Sequence, residues 1–330
     1  MSAPRSWMLY GAAGHTGSLI AQHAQERGHR PLLTGRSAPA LAALAEKLDL
    51  EYRVFGLDDP AALVAELAGI DLVLNAAGPF LHTAGALAEA CLVAGVHYLD
   101  ISNELQVFRS LYDLDERAKQ AGVSVIPGVG FGVVATNCLA GYVSDAVGGA
   151  TSLEVAARIA SAQPGPGAAA TMRENLPFGG WIRRDGELVP QQLGTGTTTI
   201  VFPDGTFGAM PVPTGDLEAA FQATKAPNVI AYSVAVEAKP SDEVSAEPRT
   251  FRSFGWARAT GANAERAEAW LETGESYAFT ADASVRAVEE TLALSLSGAF
   301  SPAAAFGADF VLKVDNTSRI EQLEAFENLG

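Results

Sequence analysis

With 330 residues the chain has room for one large domain or two ordinary ones, and 48% hydrophobic against 18% charged residues suits a soluble protein with a sizeable core. Two domains is the expectation. A net charge of -16 argues against a nucleic-acid or anionic-membrane partner, while leaving room for a local pocket that binds one phosphate.

The apolar run after Met1–Arg5 is too short for a signal peptide, and no stretch of about 18 apolar residues follows, so the expected location is cytoplasmic. Cys91 and Cys138 stand far apart and read as small buried residues, with no metal site and no disulfide framework.

The first informative stretch is Trp7 to Gly17. A short apolar run ends in Gly11, Gly14 and Gly17, with Ala13, His15 and Thr16 between them, and a helical pattern begins at once. Glycine tolerates positive φ and lets a phosphate approach the backbone, while the first N–H groups of a helix favour negative charge. The stretch is a candidate pyrophosphate turn of a dinucleotide fold.

Leu32-Leu33-Thr34 reads as a second strand, followed by Gly35, Arg36 and Ser37. An acidic side chain at this point would hold a ribose 2′-hydroxyl, but Arg36 stands here instead, and a guanidinium suits a 2′-phosphate. NADPH is therefore favoured over NADH; the alternative is a solvated arginine at a strand end. Ser37 is a candidate helix N-cap. Val54-Phe55-Gly56 reads as strand three, and Asp58 either caps the next helix or meets the adenine edge.

Asp71 to Asn75 has the continuous apolar texture of a strand buried on both faces. Ala76, Ala77, Gly78, Pro79 and Phe80 follow it, leaving room for a flat cofactor at the strand end. Strand five is Val96 to Ile101, a helix runs from about Glu104 to Ala121, and strand six is Val123 to Ile126. Six strand-and-helix alternations predict an α/β fold: a Rossmann-type, doubly wound parallel sheet.

After Pro127–Gly132 the texture changes to short β-type runs, including Leu153–Ile159, Thr197–Phe202 and Val229–Glu237. Trp181 to Val189 reads as a hairpin turning at Asp185-Gly186. The expected organisation is a dinucleotide-binding domain over 1–132 and an α+β substrate domain with a mostly antiparallel sheet over 133–283. A helix over Ser284–Leu296 opens a tail, 284–330, expected to pack back on the first domain.

Catalytic candidates cluster near the end of strand five. Glu104, Tyr98 and Asp100 are candidate proton donors, because partial burial raises a carboxyl's pKa; strand alternation places Tyr98 and Asp100 on one side. His82, just past the Gly-Pro-Phe turn, is a fourth. Phe80 and Phe131, the latter after Gly130, are candidates to wall the nicotinamide or to fill core. Arg183 and Arg184 read as a solvated hairpin tip, with substrate or partner binding as the alternative.

Taken together, these motifs resemble the saccharopine dehydrogenase-like oxidoreductases, including their trans-acting enoyl reductase branch. The resemblance continues through Thr171-Met172, Gly215-Asp216 and Ser301–Phe310. It implies NADP-linked hydride transfer and no particular substrate; the leading expectation is reduction of a small-molecule or carrier-linked unsaturated compound, with enoyl C=C favoured. The alternatives are C=N reduction, as in an amino-acid dehydrogenase, and a non-catalytic NADP(H) sensor. A homodimer through the second sheet is a further expectation. His15, Gly132 and Asn137 depart from the family pattern, which often has an aromatic residue and two aspartates there, and Asn103 replaces a glycine between Asp100 and Glu104.

Overall fold

The computed structural model describes residues 6–159, 170, 173–174, 179–192, 194–234 and 252–323. Thr171-Met172 and residues 235–237 lie outside them.

The first sheet is built from β1 (Trp7–Tyr10), β2 (Leu32–Gly35), β3 (Tyr52–Val54), β4 (Leu72–Asn75), β5 (His97–Asp100) and β6 (Ser124–Ile126). Between them run α1 (His15–Glu26), α2 (Ala38–Leu48), α3 (Pro60–Glu66), α4 (Ala84–Ala94), α5 (Leu105–Tyr112) and α6 (Asp115–Ala121). A late strand, β15 (Gly298–Ala299), pairs in parallel with β6, so the spatial order is β15-β6-β5-β4-β1-β2-β3. The order reverses between β1 and β4, and that is where such sheets open a ligand crevice at their carboxyl ends.

The strands behave as their composition dictates. β1 and β4 are buried along their whole length, with one apolar cluster on each side of the sheet. Asp59 caps α3, its carboxylate accepting from the backbone N–H groups of Ala61 and Ala62. Ser37 sits at the N-cap of α2, with Pro39 in the first turn. The single helix expected over 104–121 is two, broken at Asp113-Leu114. Both pieces end on the apolar contacts of the second cluster, Leu111 in α5 and Ala118 in α6.

α7 (Phe131–Ala146) leads into a nine-stranded sheet: β7 (Ala150–Arg158), β8 (Gly180–Arg184), β9 (Glu187–Gln191), β10 (Thr198–Phe202), β11 (Gly205–Pro211), β12 (Asn228–Val234), β13 (Ser253–Gly261), β14 (Arg266–Thr273) and β16 (Ser318–Ile320). Every pairing is antiparallel except β7 with β12. The β8–β9 hairpin turns at Asp185-Gly186, where both residues take positive φ, 49° and 85°. Arg183 is not at a solvated tip: it is buried, pairs with Glu218 of α8 (Asp216–Thr224) at 2.8 Å and lies over the Phe221 ring. Arg184 is exposed.

The carboxyl-terminal helix, α9 (Ser276–Ala293), starts eight residues earlier than the sequence pattern suggested, capped by the Glu275 side chain. It packs along α1, and five charged or titratable groups line the seam. His23 meets Asp282 at 3.0 Å, Arg27 meets Glu289 at 2.8 Å and His29 meets the same carboxylate at 2.8 Å. A short α10 (Pro302–Phe306) follows β15. No helix among the described residues is long and apolar enough to cross a membrane.

Burial pushes the Glu289 carboxyl up, but Arg27 and His29 outweigh it and hold it below its ordinary value. A depressed carboxyl stabilises the fold above its unfolded pKa, about 4.3, and loses that contribution as pH falls through the folded value. Glu289→Gln is therefore expected to lower stability by about 1 kcal/mol near pH 7. Denaturant melts should show the gap from the unmodified chain closing as pH falls below about 4.

Candidate dinucleotide and hydride-transfer site

The glycine turn has the close packing a phosphate cradle needs. Gly11 takes φ +82°, donates its N–H to the Thr34 carbonyl at 2.8 Å, and lies so near β4's end that a Cβ would stand 2.8 Å from Ala77. At Gly17 a Cβ would come within 2.2 Å of the Gly11 carbonyl oxygen. α1 therefore starts directly against the turn. Its N-cap is Gly14, with no side-chain cap among the described residues, and its first turn, His15-Thr16-Gly17, holds no acid. The first N–H groups of a helix, its dipole and the lack of an acid in the first turn fit a pyrophosphate. Ala13 and Thr16 are half-buried and His15 is exposed, its ring edge-on to Tyr277 of α9 at 4.6 Å.

Arg36 and Ser37 are exposed just beyond Gly35, and Asp58 is exposed beyond β3. All three border the crease between the ends of β2 and β3. The residue set fits a nucleotide carrying a 2′-phosphate, with Arg36 as the cation. Among the described residues no cluster of His, Cys, Asp and Glu suits a metal ion.

On the other side of β1, register brings polar residues side by side. Tyr10 pairs with Asn75, and Asn75 with Asp100, at the carboxyl ends of β1, β4 and β5. Asn75 Nδ2 donates to the Tyr98 hydroxyl and to Thr83 Oγ1, each at 3.1 Å, and its Oδ1 accepts from Ala77 N at 3.0 Å. The Tyr98 hydroxyl donates to Asp100 Oδ2 at 2.9 Å, so Tyr98 and Asp100 do share a side. Asp100 Oδ1 accepts from Ser102 N at 2.9 Å, Ser102 Oγ at 2.6 Å and Gly128 N at 3.0 Å. One carboxylate thereby ties β5 to the loop after β6.

Glu104 is nearly as buried, and its oxygens accept from Phe80 N at 3.1 Å and Asn103 N at 2.9 Å. This bond holds the turn Ala76–Phe80, whose first four residues are half-buried at the crevice. Burial pushes the Glu104 carboxyl up, more strongly than the Asn103 and Phe80 N–H groups pull it down. Burial likewise raises Asp100, against the Ser102, Gly128 and Tyr98 donors. His82 stands apart from this group: its side chain is 66% exposed and meets Glu174 at 2.9 Å.

Phe80 and Phe131 are both buried, Phe80 in the cluster under α4 and Phe131 against Phe279 at 5.3 Å. Gly130 precedes α7, and Thr280 of α9 accepts the Phe131 N–H at 3.1 Å. The departures at Gly132 and Asn137 have distinct settings. A Cβ on Gly132 would lie 3.1 Å from Asn103 Nδ2, so the Asn103 carboxamide fills the space a side chain there would use. Asn137 is fully engaged in packing, donating to the Ala219 carbonyl and accepting from Ala303 N, each at 2.8 Å.

Sequence reading missed Tyr10, Asn75, Tyr277 and Thr280. Asn75, a polar residue closing an apolar strand before Ala-Ala-Gly, carried a usable signal; the two α9 residues reach the crevice only through tertiary packing.

The model of the saccharopine dehydrogenase NADP-binding domain matches residues 7–126. Trans-acting enoyl reductases of Mycobacterium ulcerans and Mycobacterium bovis are each 33% identical over 132 residues, 38% of this chain and 32% of theirs. The chain thus spans about a third of the length of the curated relatives it matches. Apo saccharopine dehydrogenase (L-Glu forming) from Saccharomyces cerevisiae shares the fold, with a TM-score of 0.67 at 12% identity over 96% of this chain and 100% of that one. Residues 7–126, which carry the glycine turn, the Arg36 strand end and the parallel sheet, are thus similar to the NADP-binding domain of saccharopine dehydrogenase.

Proposed function

We propose that the protein is an NADPH-dependent reductase that transfers hydride to an unsaturated, small or carrier-linked substrate, with an enoyl C=C bond as the preferred acceptor. The observation that carries the reading is the pairing of a phosphate cradle and Arg36 at one end of the crevice with buried titratable groups at the other. The cofactor supplies the hydride. The chain's own residues bind the phosphates, exclude water and manage the proton.

Reducing a C=C bond conjugated to a carbonyl adds hydride to one carbon and a proton to the other, and negative charge develops in between. Glu104, beside the Phe80 turn, is the first candidate to deliver that proton, because burial favours its neutral form. Tyr98 and Asp100 form the buried support behind it, and His82 lies at the exposed rim. The likeness to trans-acting enoyl reductases covers the nucleotide domain and supports the C=C preference through the family branch alone.

Arg36→Ala is expected to raise the Kd for NADPH roughly 10- to 100-fold and that for NADH less than about threefold, as charge-assisted bonds to the 2′-phosphate are lost. Titration by fluorescence reads both; equal losses would remove Arg36 from the 2′-phosphate. Purified protein should also oxidise NADPH with an enoyl thioester faster than with an imine. The reverse preference would move the assignment to C=N chemistry, and tight binding with no turnover on either would make the chain a sensor.

If Glu104 is the donor, turnover falls as pH rises through its elevated pKa, since the protonated form is the active one. Glu104→Gln should lower kcat roughly 100-fold, flatten that limb of the profile and leave the NADPH Kd nearly unchanged. Unchanged turnover would exclude Glu104 as the donor.

A further inference from the structure

Tyr10 is the last residue of β1, immediately before the glycine turn, and its side chain is 2% exposed. Its hydroxyl nevertheless has no hydrogen-bond partner among the described residues. A buried phenol normally finds a partner, and leaving one without is costly. Its in-register neighbours solve the same problem differently. Thr34 donates to the Leu9 carbonyl and Asn75 satisfies both ends of its amide.

The surroundings of the Tyr10 ring point to what completes it. The ring lies 5.5 Å from Phe55, tilted at 38°, and belongs to a cluster whose half-exposed members include Phe55, Leu57 and Ala77. Those residues follow the ends of β3 and β4 and offer an apolar floor for a flat base. Two charged groups stand near enough to influence the phenol: beyond the effect of burial, Arg36 and Asp58 act on it in opposite directions. Tyr10 pairs in register with Thr34 of β2 and Asn75 of β4, so it closes β1 directly before the glycine turn and beside the strand ends that lead to Arg36 and Ala77.

We infer that Tyr10 reads the adenine ring, its hydroxyl forming a hydrogen bond with the base edge when the adenosine end of the dinucleotide enters the crease between β2 and β3. This rests on the NADPH reading and adds to it a division of labour: Arg36 recognises the 2′-phosphate, whereas Tyr10 recognises the base that NADPH and NADH share. An orphaned hydroxyl in the free protein becomes a positioning contact in the bound one.

The test is calorimetric titration of the unmodified chain, Tyr10→Phe and Arg36→Ala with NADPH, NADH, 5′-AMP and nicotinamide mononucleotide, alongside thermal melts of each free protein. Tyr10→Phe should melt no lower than the unmodified chain, since it removes only an unpartnered hydroxyl. It should raise the Kd for NADPH, NADH and 5′-AMP by a common factor, roughly three- to tenfold, and leave nicotinamide mononucleotide unaffected. Unchanged affinities in Tyr10→Phe, with Arg36→Ala still selective against NADPH, would overturn the role of Tyr10 and leave the cofactor reading standing. A loss confined to NADPH would also overturn it, by assigning the hydroxyl to the 2′-phosphate. Failure of the unmodified chain to bind either dinucleotide would overturn both.

Discussion

The constraint on which the rest depends is the backbone approach at the end of β1. Gly17 sits where a Cβ would strike the Gly11 carbonyl, and Gly11 sits where a Cβ would strike Ala77. Helix α1, the turn and the end of β4 can converge only because those positions lack side chains. Packing at this density transmits displacement, so a methyl group there would move the helix N-terminus relative to the sheet. The placement of the α1 N-terminus, of Arg36 one strand away and of the Ala76–Phe80 turn all follow from that convergence.

Beside it the fold accepts a cost for its polar residues. Asn75, Tyr98, Asp100 and Glu104 are buried at the strand ends, and each is held by hydrogen bonds to a neighbouring strand or turn. A network of this kind is stabilising when its members are satisfied, and it fixes the crevice loops relative to one another. The second half of the chain contributes to the same end. Thr280 holds the start of α7, Asp282 and Glu289 hold α1, and the Gly215 N–H bonds to the Asn103 carbonyl at 3.0 Å beside the crevice. The candidate site is thus supported from both halves of the chain.

What the sequence made legible was local. Glycine spacing, apolar runs and the Asp185-Gly186 turn each depend on neighbouring residues, and they located the parallel sheet, the tight glycine turn and the hairpin. Features set by distant contacts were not legible. Arg183 reads as a hairpin-tip cation but is buried by the arrival of α8 and Phe221. The break in the 104–121 helix shows no proline or glycine, and α9 begins before its apolar stripe because Glu275 caps it. Tyr10 looked like a strand residue among others, since nothing in its neighbours reveals that its hydroxyl ends without a partner. The relation of Gly132 to Asn103, 29 positions apart, likewise needed the fold.

The most direct measurement for the account as a whole is isotope transfer. The chain would be incubated with NADPH deuterated at the reactive nicotinamide carbon and an enoyl thioester, and the product analysed by mass spectrometry and NMR. The account requires deuterium on one carbon of the former double bond and a solvent-derived proton on the other. NADPH consumption without deuterium in the product, or reduced product only when an imine replaces the enoyl group, would contradict it.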